Sequence, residues 1–323
     1  MTKEKNNERK IAIWGDQIPF NTGESKKEAF LISKKPAPVA MLLAFRYIFG
    51  KKIMKSREYY DTYSLNNWIS KGNESMYFDD VPTLTPYLRP GSDRAIIIAP
   101  GGAFVYKEME REGYHNGELL SSLGFNAFVL DYRLNPYRSL AGCLDMQRAV
   151  RYLRAHASEY GIDPHKIGVL GCSAGGYIAG STGTILNDEP PCVEGYVPDE
   201  VDAVSGRPDY MALLYPVTGF LKNPSMLAMI AGDDFFDPGK QKKLQEEYSL
   251  RNHLDGDVPP QFICYGDKDL LKDMCDYSAA VKAKGLPLKE IIIKNATHGL
   301  TPISSAEKTW SEAFKTWTDE ILK

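Results

Sequence analysis

The chain has 323 residues, 43% of them hydrophobic and 25% charged, with a formal net charge of −3. These are the proportions of an ordinary globular protein, and the length suits a single α/β domain with an added segment. The near-neutral balance, with no base-reading motif and no zinc-finger spacing, excludes the strongly basic face that nucleic-acid partners select.

The first stretch, MTKEKNNERK, carries no apolar core of the signal-peptide kind. Cys143, Cys172, Cys192, Cys264 and Cys275 make five cysteines. The number is odd and no pair has CxxC spacing, which disfavours a disulfide framework or a structural zinc site. A cytoplasmic protein without metal is expected. The longest apolar stretch, Ala37 to Phe49, is broken by Pro38 and Arg46 and is too short to cross a bilayer, so no stable membrane insertion is expected. Within it Met41, Leu42, Phe45, Ile48 and Phe49 recur at helical spacing and need something to bury against. Four surfaces offer this: the back of the domain, a second subunit in a homo-oligomer, the mouth of an active site, or the surface of a membrane.

Residues 1–81 are charged, aromatic and irregular, and read as an N-terminal extension. Residues 82–323 read as one domain. From Asp93 onward, strands and helices alternate, the mark of a mostly parallel central sheet with helices on both faces. Short apolar runs bounded by turn residues are the strand candidates: Arg94–Ala99, Asn126–Asp131, Lys166–Gly171, Met211–Tyr215, Gln261–Tyr265 and Glu290–Lys294. Leu140, Leu144, Val150, Leu153, Ala157 and Tyr160 keep near-helical spacing, with Gly161 as the stop. Trp310, Phe314, Trp317 and Ile321 form the stripe of a last helix, for which Ser304 and Glu307 suggest a capping box.

The chemistry concentrates where these runs end. Gly171-Cys172-Ser173-Ala174-Gly175 is a G-x-S-x-G between a strand and a helical stretch, the setting of a nucleophile elbow. The turn is sharp, and small flanking residues let the backbone pass closely. Ser173 is then the candidate nucleophile, and a serine hydroxyl needs a base. His298 follows the last strand and can reach the elbow, whereas His115, His156, His165 and His253 lie elsewhere. The base needs an acid to hold its tautomer. Gly266-Asp267-Lys268-Asp269 offers two carboxylates, and Asp269, deeper in the loop, is preferred over Asp267. Pro100-Gly101-Gly102-Ala103-Phe104 follows the first strand of the domain. There the amides of Gly102 and Ala103, with that of Ala174, can form an oxyanion hole. Phe104 and Tyr215 are the candidate substrate contacts.

Taken together, PGGAF (100–104), LDYRLNPY (130–137), GIDPHKIGVLGCSAGG (161–176), RPDYMALLYPV (207–217), PPQFICYGDKD (259–269) and THG (297–299) resemble the acetylxylan-esterase-like and hormone-sensitive-lipase-like serine esterases. The resemblance runs from about Pro82 to the C-terminus. It implies the α/β-hydrolase fold and hydrolysis of short-chain carboxylic esters, often acetyl groups on sugars, with no cofactor and a small-molecule substrate. Two positions depart from the lipase-like pattern H-G-G-G. Pro100 replaces the histidine, which favours the carbohydrate-esterase side, and Ala103 stands where a third glycine is common. A serine peptidase or amidase on the same relay, and a ligand-binding homologue without turnover, are the competing functions.

Overall fold

The computed structural model describes residues 10–21, 30–32, 74–76 and 81–323, except 105–106, 135–137, 223, 232–233, 235–236 and 302. The apolar run Val39–Phe49 lies outside the described residues.

The strands are β1 (Ile11–Ala12), β2 (Phe30–Ile32), β3 (Glu74–Met76), β4 (Thr83–Tyr87), β5 (Ala95–Ala99), β6 (Asn126–Asp131), β7 (Ile167–Cys172), β8 (Tyr210–Leu214), β9 (Gln261–Gly266) and β10 (Leu288–Ile293). The α-helices are α1 (His115–Ser122), α2 (Arg138–Ala155), α3 (Ala157–Tyr160), α4 (Ala174–Gly183), α5 (Pro224–Ala231), α6 (Gln241–Tyr248), α7 (Asp273–Ala283) and α8 (Ala306–Ile321). Eight strands form one sheet in the order β1-β4-β6-β5-β7-β8-β9-β10, and β2 and β3 pair separately. From β6 to β10 every neighbouring pair is parallel, and β4 runs antiparallel to both β6 and β1.

Every residue of β5 to β9 is buried, as expected of strands covered on both faces. Adjacent strand residues point to opposite faces, and β8 shows what each face meets. Tyr210 packs on Phe314 and Trp317 of α8. Met211 lies under Gly183 of α4, where an added Cβ would come within 2.4 Å of its sulfur. Helices therefore cover both sides of an α/β-hydrolase sheet. The outermost strand, β10, is only partly buried.

Two features differ from expectation. Strand β4 has no counterpart among the expected strands; it contains Pro86, and a proline within a run usually argues against a strand. Among the described residues β1 pairs only with Thr83 and Leu84, so Pro86 lies beyond that pairing and its missing N–H costs no ladder bond there. The capping box at Ser304 and Glu307 does not form. Ser305 is the N-cap of α8 and makes no side-chain capping bond, while Glu307 pairs with His115 at 2.6 Å. By contrast Gly161 does end α3, in the left-handed conformation at φ 65°.

Part of the segment before Pro82 is built into this body. Besides the β1 pairing, Trp14 donates its indole N–H to Asp145 at 2.8 Å. Arg148 lies over the Trp14 ring, 4.9 Å from its centroid. Asp145 in turn binds Arg133, which donates from Nη2 at 2.7 Å and from its backbone N–H at 2.9 Å, and Arg133 also donates to the carbonyl of Pro19. Neither side chain of the Arg133–Asp145 pair touches solvent. Removing one partner strands the other charge in the core, which costs far more than the pair contributes. Asp145→Ala should therefore lower unfolding stability by about 3–5 kcal/mol in a urea titration. A loss below about 1 kcal/mol would mean that Arg133 finds water or another acceptor.

Candidate active site

The parallel strands deliver their following loops to one edge of the sheet, where sites of α/β proteins lie. Gly101 and its neighbours follow β5, Ser173 follows β7, Tyr215 follows β8, Asp269 follows β9 and His298 follows β10.

Ser173 has φ 53° and ψ −117°, a conformation that costs a non-glycine residue about 1–3 kcal/mol and persists only where the surroundings impose it. The surroundings do so by backbone contact. A Cβ on Gly175 would sit 2.1 Å from the carbonyl oxygen of Ala99, and one on Gly171 would sit 2.1 Å from that of Gly175. The Ser173 N–H donates to the Leu214 carbonyl at 3.0 Å, and the Ser173 carbonyl accepts from Val217 at 2.9 Å. The serine is thus pinned between β5 and β8.

Ser173 Oγ lies 2.8 Å from His298 Nε2. His298 Nδ1 lies 2.9 Å from Oδ2 and 3.1 Å from Oδ1 of Asp269. Asp269 is buried, and its Oδ1 also accepts the Leu271 N–H at 2.9 Å. The His298 side chain keeps 38% of its surface exposed, so the relay has a solvent side. Asp267, the competing carboxylate, faces elsewhere and accepts the Asn295 N–H at 2.7 Å. Of the other histidines, His115 meets Glu307, while His156 and His253 bond to backbone carbonyls of Tyr152 and Glu247.

The loop after β5 is unusual in its backbone. Gly102, Ala103 and Phe104 have successive φ values of 133°, 55° and 62°. Among the described residues no carbonyl accepts the N–H of Gly102 or Ala103. Ala174 opens α4, and the first N–H groups of a helix have no partner within it. Three amides are therefore free to bind a developing negative charge beside Ser173.

Both ends of this loop are tied down. Tyr132 donates its hydroxyl to the Pro100 carbonyl at 2.6 Å, and the Gly101 N–H donates to Glu112 Oε2 at 2.7 Å. After the loop, Lys107 is buried, donating to the Tyr132 carbonyl at 2.6 Å and to Asp131. Burial works to raise the Asp131 carboxyl pKa, but Lys107 and Lys10 outweigh it and hold the group below its ordinary range.

Phe104 and Tyr215 are both almost wholly buried, at 3% and 6% exposure. The Phe104 ring packs edge-on against Tyr177 at 5.7 Å, and the Tyr215 ring packs edge-on against His298 at 5.2 Å. Most of their ring surface is spent on protein partners, which leaves only small faces for a substrate. A cavity of about 470 Å³ opens beside the relay, lined by Arg111, Glu112, Tyr215, Leu300 and Trp310 among others, with Ser173 outside its wall. Among the described residues no group of three or more His, Cys, Asp or Glu side chains could hold a metal ion, and no helix is long and apolar enough to cross a membrane.

Sequence reasoning missed Glu112, Tyr132 and the Lys107–Asp131 pair. For Glu112 the clue is burial, which the sequence does not show. Met109, Glu112 and Asn116 share one face of the helical segment, and all three are buried. A carboxylate on a buried stripe is rare without a specific partner.

The chain is similar to several known proteins. The BD-FAE family profile matches residues 85–283. Endo-1,4-beta-xylanase B of Butyrivibrio fibrisolvens is 29% identical over 310 residues, which are 90% of this chain and 43% of that protein. The acetylxylan esterase of Xylanibacter ruminicola is 26% identical over 216 residues, 64% of this chain and 41% of that protein. The chain thus spans less than half the length of these two relatives. The acetyl ester-xyloside bifunctional hydrolase from Caldicellulosiruptor lactoaceticus superposes with a TM-score of 0.67 at 26% identity, covering 97% of this chain and 96% of that one. The family match takes in the strained Pro100–Phe104 loop, the Ser173 elbow and the Asp269 loop, and on this basis the chain belongs to the BD-FAE family, on an α/β-hydrolase fold.

Proposed function

We propose that the chain is a serine carboxylic-ester hydrolase acting on acetyl-type esters of carbohydrates, with residues 82–323 as the catalytic body. The observation that carries the proposal is the continuous relay from Ser173 Oγ through the His298 imidazole to Asp269, at 2.8 Å and 2.9 Å. It stands beside amides that have no other partner. The substrate class is supported by the names of two similar proteins, an acetylxylan esterase and an acetyl ester-xyloside hydrolase. A cytoplasmic location fits the five cysteines, all of them free thiols.

The steps follow from the geometry. Ser173 Oγ attacks the ester carbonyl carbon as His298 Nε2 takes the hydroxyl proton. Asp269 holds Nδ1–H and stabilises the imidazolium. The carbonyl oxygen, now negative, accepts from the amides of Gly102, Ala103 and Ala174. Collapse breaks the C–O bond to the sugar, and His298 returns the proton to the departing alcohol oxygen. The acetyl group is left on Ser173. Water, deprotonated by His298, attacks the acyl-enzyme, and acetate leaves as Ser173 regains its proton.

Ser173→Ala should retain the fold and lose turnover of p-nitrophenyl acetate by roughly 10⁴-fold or more. Retention of more than a few per cent of wild-type activity would remove Ser173 from the role. Wild-type enzyme should favour acetate over octanoate esters, release acetate from acetylated xylose, and leave anilides largely intact. Comparable rates on anilides would instead indicate an amidase.

The two loop carboxylates separate in a second experiment. Asp269→Asn can present the wrong tautomer to His298 and should lower kcat by about 10³–10⁴-fold. Asp267→Asn touches only the Asn295 amide and should act on stability. If kcat falls more in Asp267→Asn, the acid role passes to that residue.

A further inference from the structure

Glu112 lies outside the relay, yet it reaches two parts of the site at once. It sits in a π-helical turn, Met109–Tyr114, that leads into α1. Such turns are uncommon and often occur at functional sites. The residue is 7% exposed. Its Oε2 accepts the Gly101 N–H at 2.7 Å, and its Oε1 accepts the Tyr215 hydroxyl at 3.1 Å. Gly101 immediately precedes the two free amides, and Tyr215 is the residue whose ring packs against His298.

The fit around Gly101 is tight. A Cβ there would lie 2.6 Å from the Cys172 carbonyl oxygen, 2.8 Å from Glu112 Oε2 and 2.8 Å from Ser173 Cβ. The peptide is wedged between Glu112 and the elbow, so the position of the carboxylate is transmitted to the loop. That loop carries three successive residues at positive φ, a conformation with no local reason to persist. Burial pushes the Glu112 carboxyl pKa up, and the Gly101 N–H and Tyr215 hydroxyl oppose the rise. A group kept buried at that cost for helix packing alone is uncommon, since an apolar side chain would serve better.

We propose that Glu112 is a positioning residue for the esterase reaction: by accepting from Gly101 and Tyr215 it fixes the Gly102 and Ala103 amides relative to Ser173 and braces the ring that backs His298. The inference rests on the ester-hydrolase reading. Among the described residues Glu112 bonds to Gly101 and Tyr215 and makes no hydrogen bond to Ser173, His298 or Asp269. Its contribution appears when charge develops on the carbonyl oxygen, because amides displaced by a fraction of an ångström bind that charge less well.

The test compares Glu112→Leu with Glu112→Gln. Leucine fills similar volume and leaves the Gly101 N–H without an acceptor. Glutamine can accept from Gly101 and donate to the Tyr215 oxygen, so both ties survive. Active sites are counted in each variant by fluorophosphonate labelling to completion, and kcat and KM for p-nitrophenyl acetate are expressed per labelled site. Glu112→Leu should lose at least about tenfold in kcat, equal to ~1.4 kcal/mol of transition-state stabilisation, with KM changed by less than about threefold. Glu112→Gln should stay within about threefold of wild type in both constants. A merely structural role would lower the melting temperature of both variants and leave kcat per labelled site at the wild-type value. That result overturns the proposal, as does a Glu112→Gln as impaired as Glu112→Leu. Where the leucine variant does not fold, Glu112→Ala replaces it with the same expected and contrary outcomes. Failure of the ester-hydrolase reading would show separately, as wild-type protein that neither labels nor turns over ester.

Discussion

The site depends on how closely the backbones of β5 and the elbow pass each other at the C-terminal edge of the sheet. Gly175 leaves no room for a Cβ against the Ala99 carbonyl, and Gly101 leaves none against the Cys172 carbonyl and the side chain of Ser173. These contacts hold Ser173 at φ 53° and bring the start of the Pro100–Phe104 loop against it. A looser crossing would relax the serine into ordinary backbone and separate it from the loop that faces it. The strain is local, and the fully buried strands on either side oppose its release.

Around that crossing the two halves of the site are held differently. The Pro100–Phe104 side is clamped by buried polar groups: Tyr132 on Pro100, Glu112 on Gly101 and Lys107 with Asp131 behind them. Each is satisfied, so the cluster is rigid rather than costly. The His298 side is lighter. Its loop closes on the Thr297 N–H donating to Thr301 at 2.7 Å, with Asp267 holding Asn295 and Asp269 holding the imidazole. A rigid loop with free amides and a solvent-facing imidazole are what the proposed reaction needs, in which the charge site is preformed while the base exchanges protons with alcohol and water.

The central strands were legible because they are buried on both faces and read as unbroken apolar runs between turn residues. The relay was legible because each member follows such a run. What escaped has physical causes. The strand β4 contains Pro86, which among the described residues lies beyond the pairing with β1. The β10 strand begins at Leu288, two residues before its expected start, because it is the outermost strand and its apolar signal is diluted by exposed positions. Ser304 and Glu307 had the spacing of a capping box, but Glu307 found His115 across the fold, a partner that local sequence cannot reveal. Glu112 was hidden among Glu108, Glu110 and Arg111, charges that read as a solvated helix face until the burial of its neighbours is known. Trp14 and Arg133 meet through Asp145 over long sequence separations, so the anchoring of the first described residues became visible only in three dimensions.

The central claim is that the strained turn makes Ser173 the nucleophile and that His298 activates it. The most direct measurement is to treat the protein with a fluorophosphonate and locate the adduct by peptide mass spectrometry. The account predicts stoichiometric phosphonylation of Ser173 alone, slowed by orders of magnitude in His298→Ala. An adduct on another residue, or labelling of Ser173 that is equally fast without the imidazole, would contradict it.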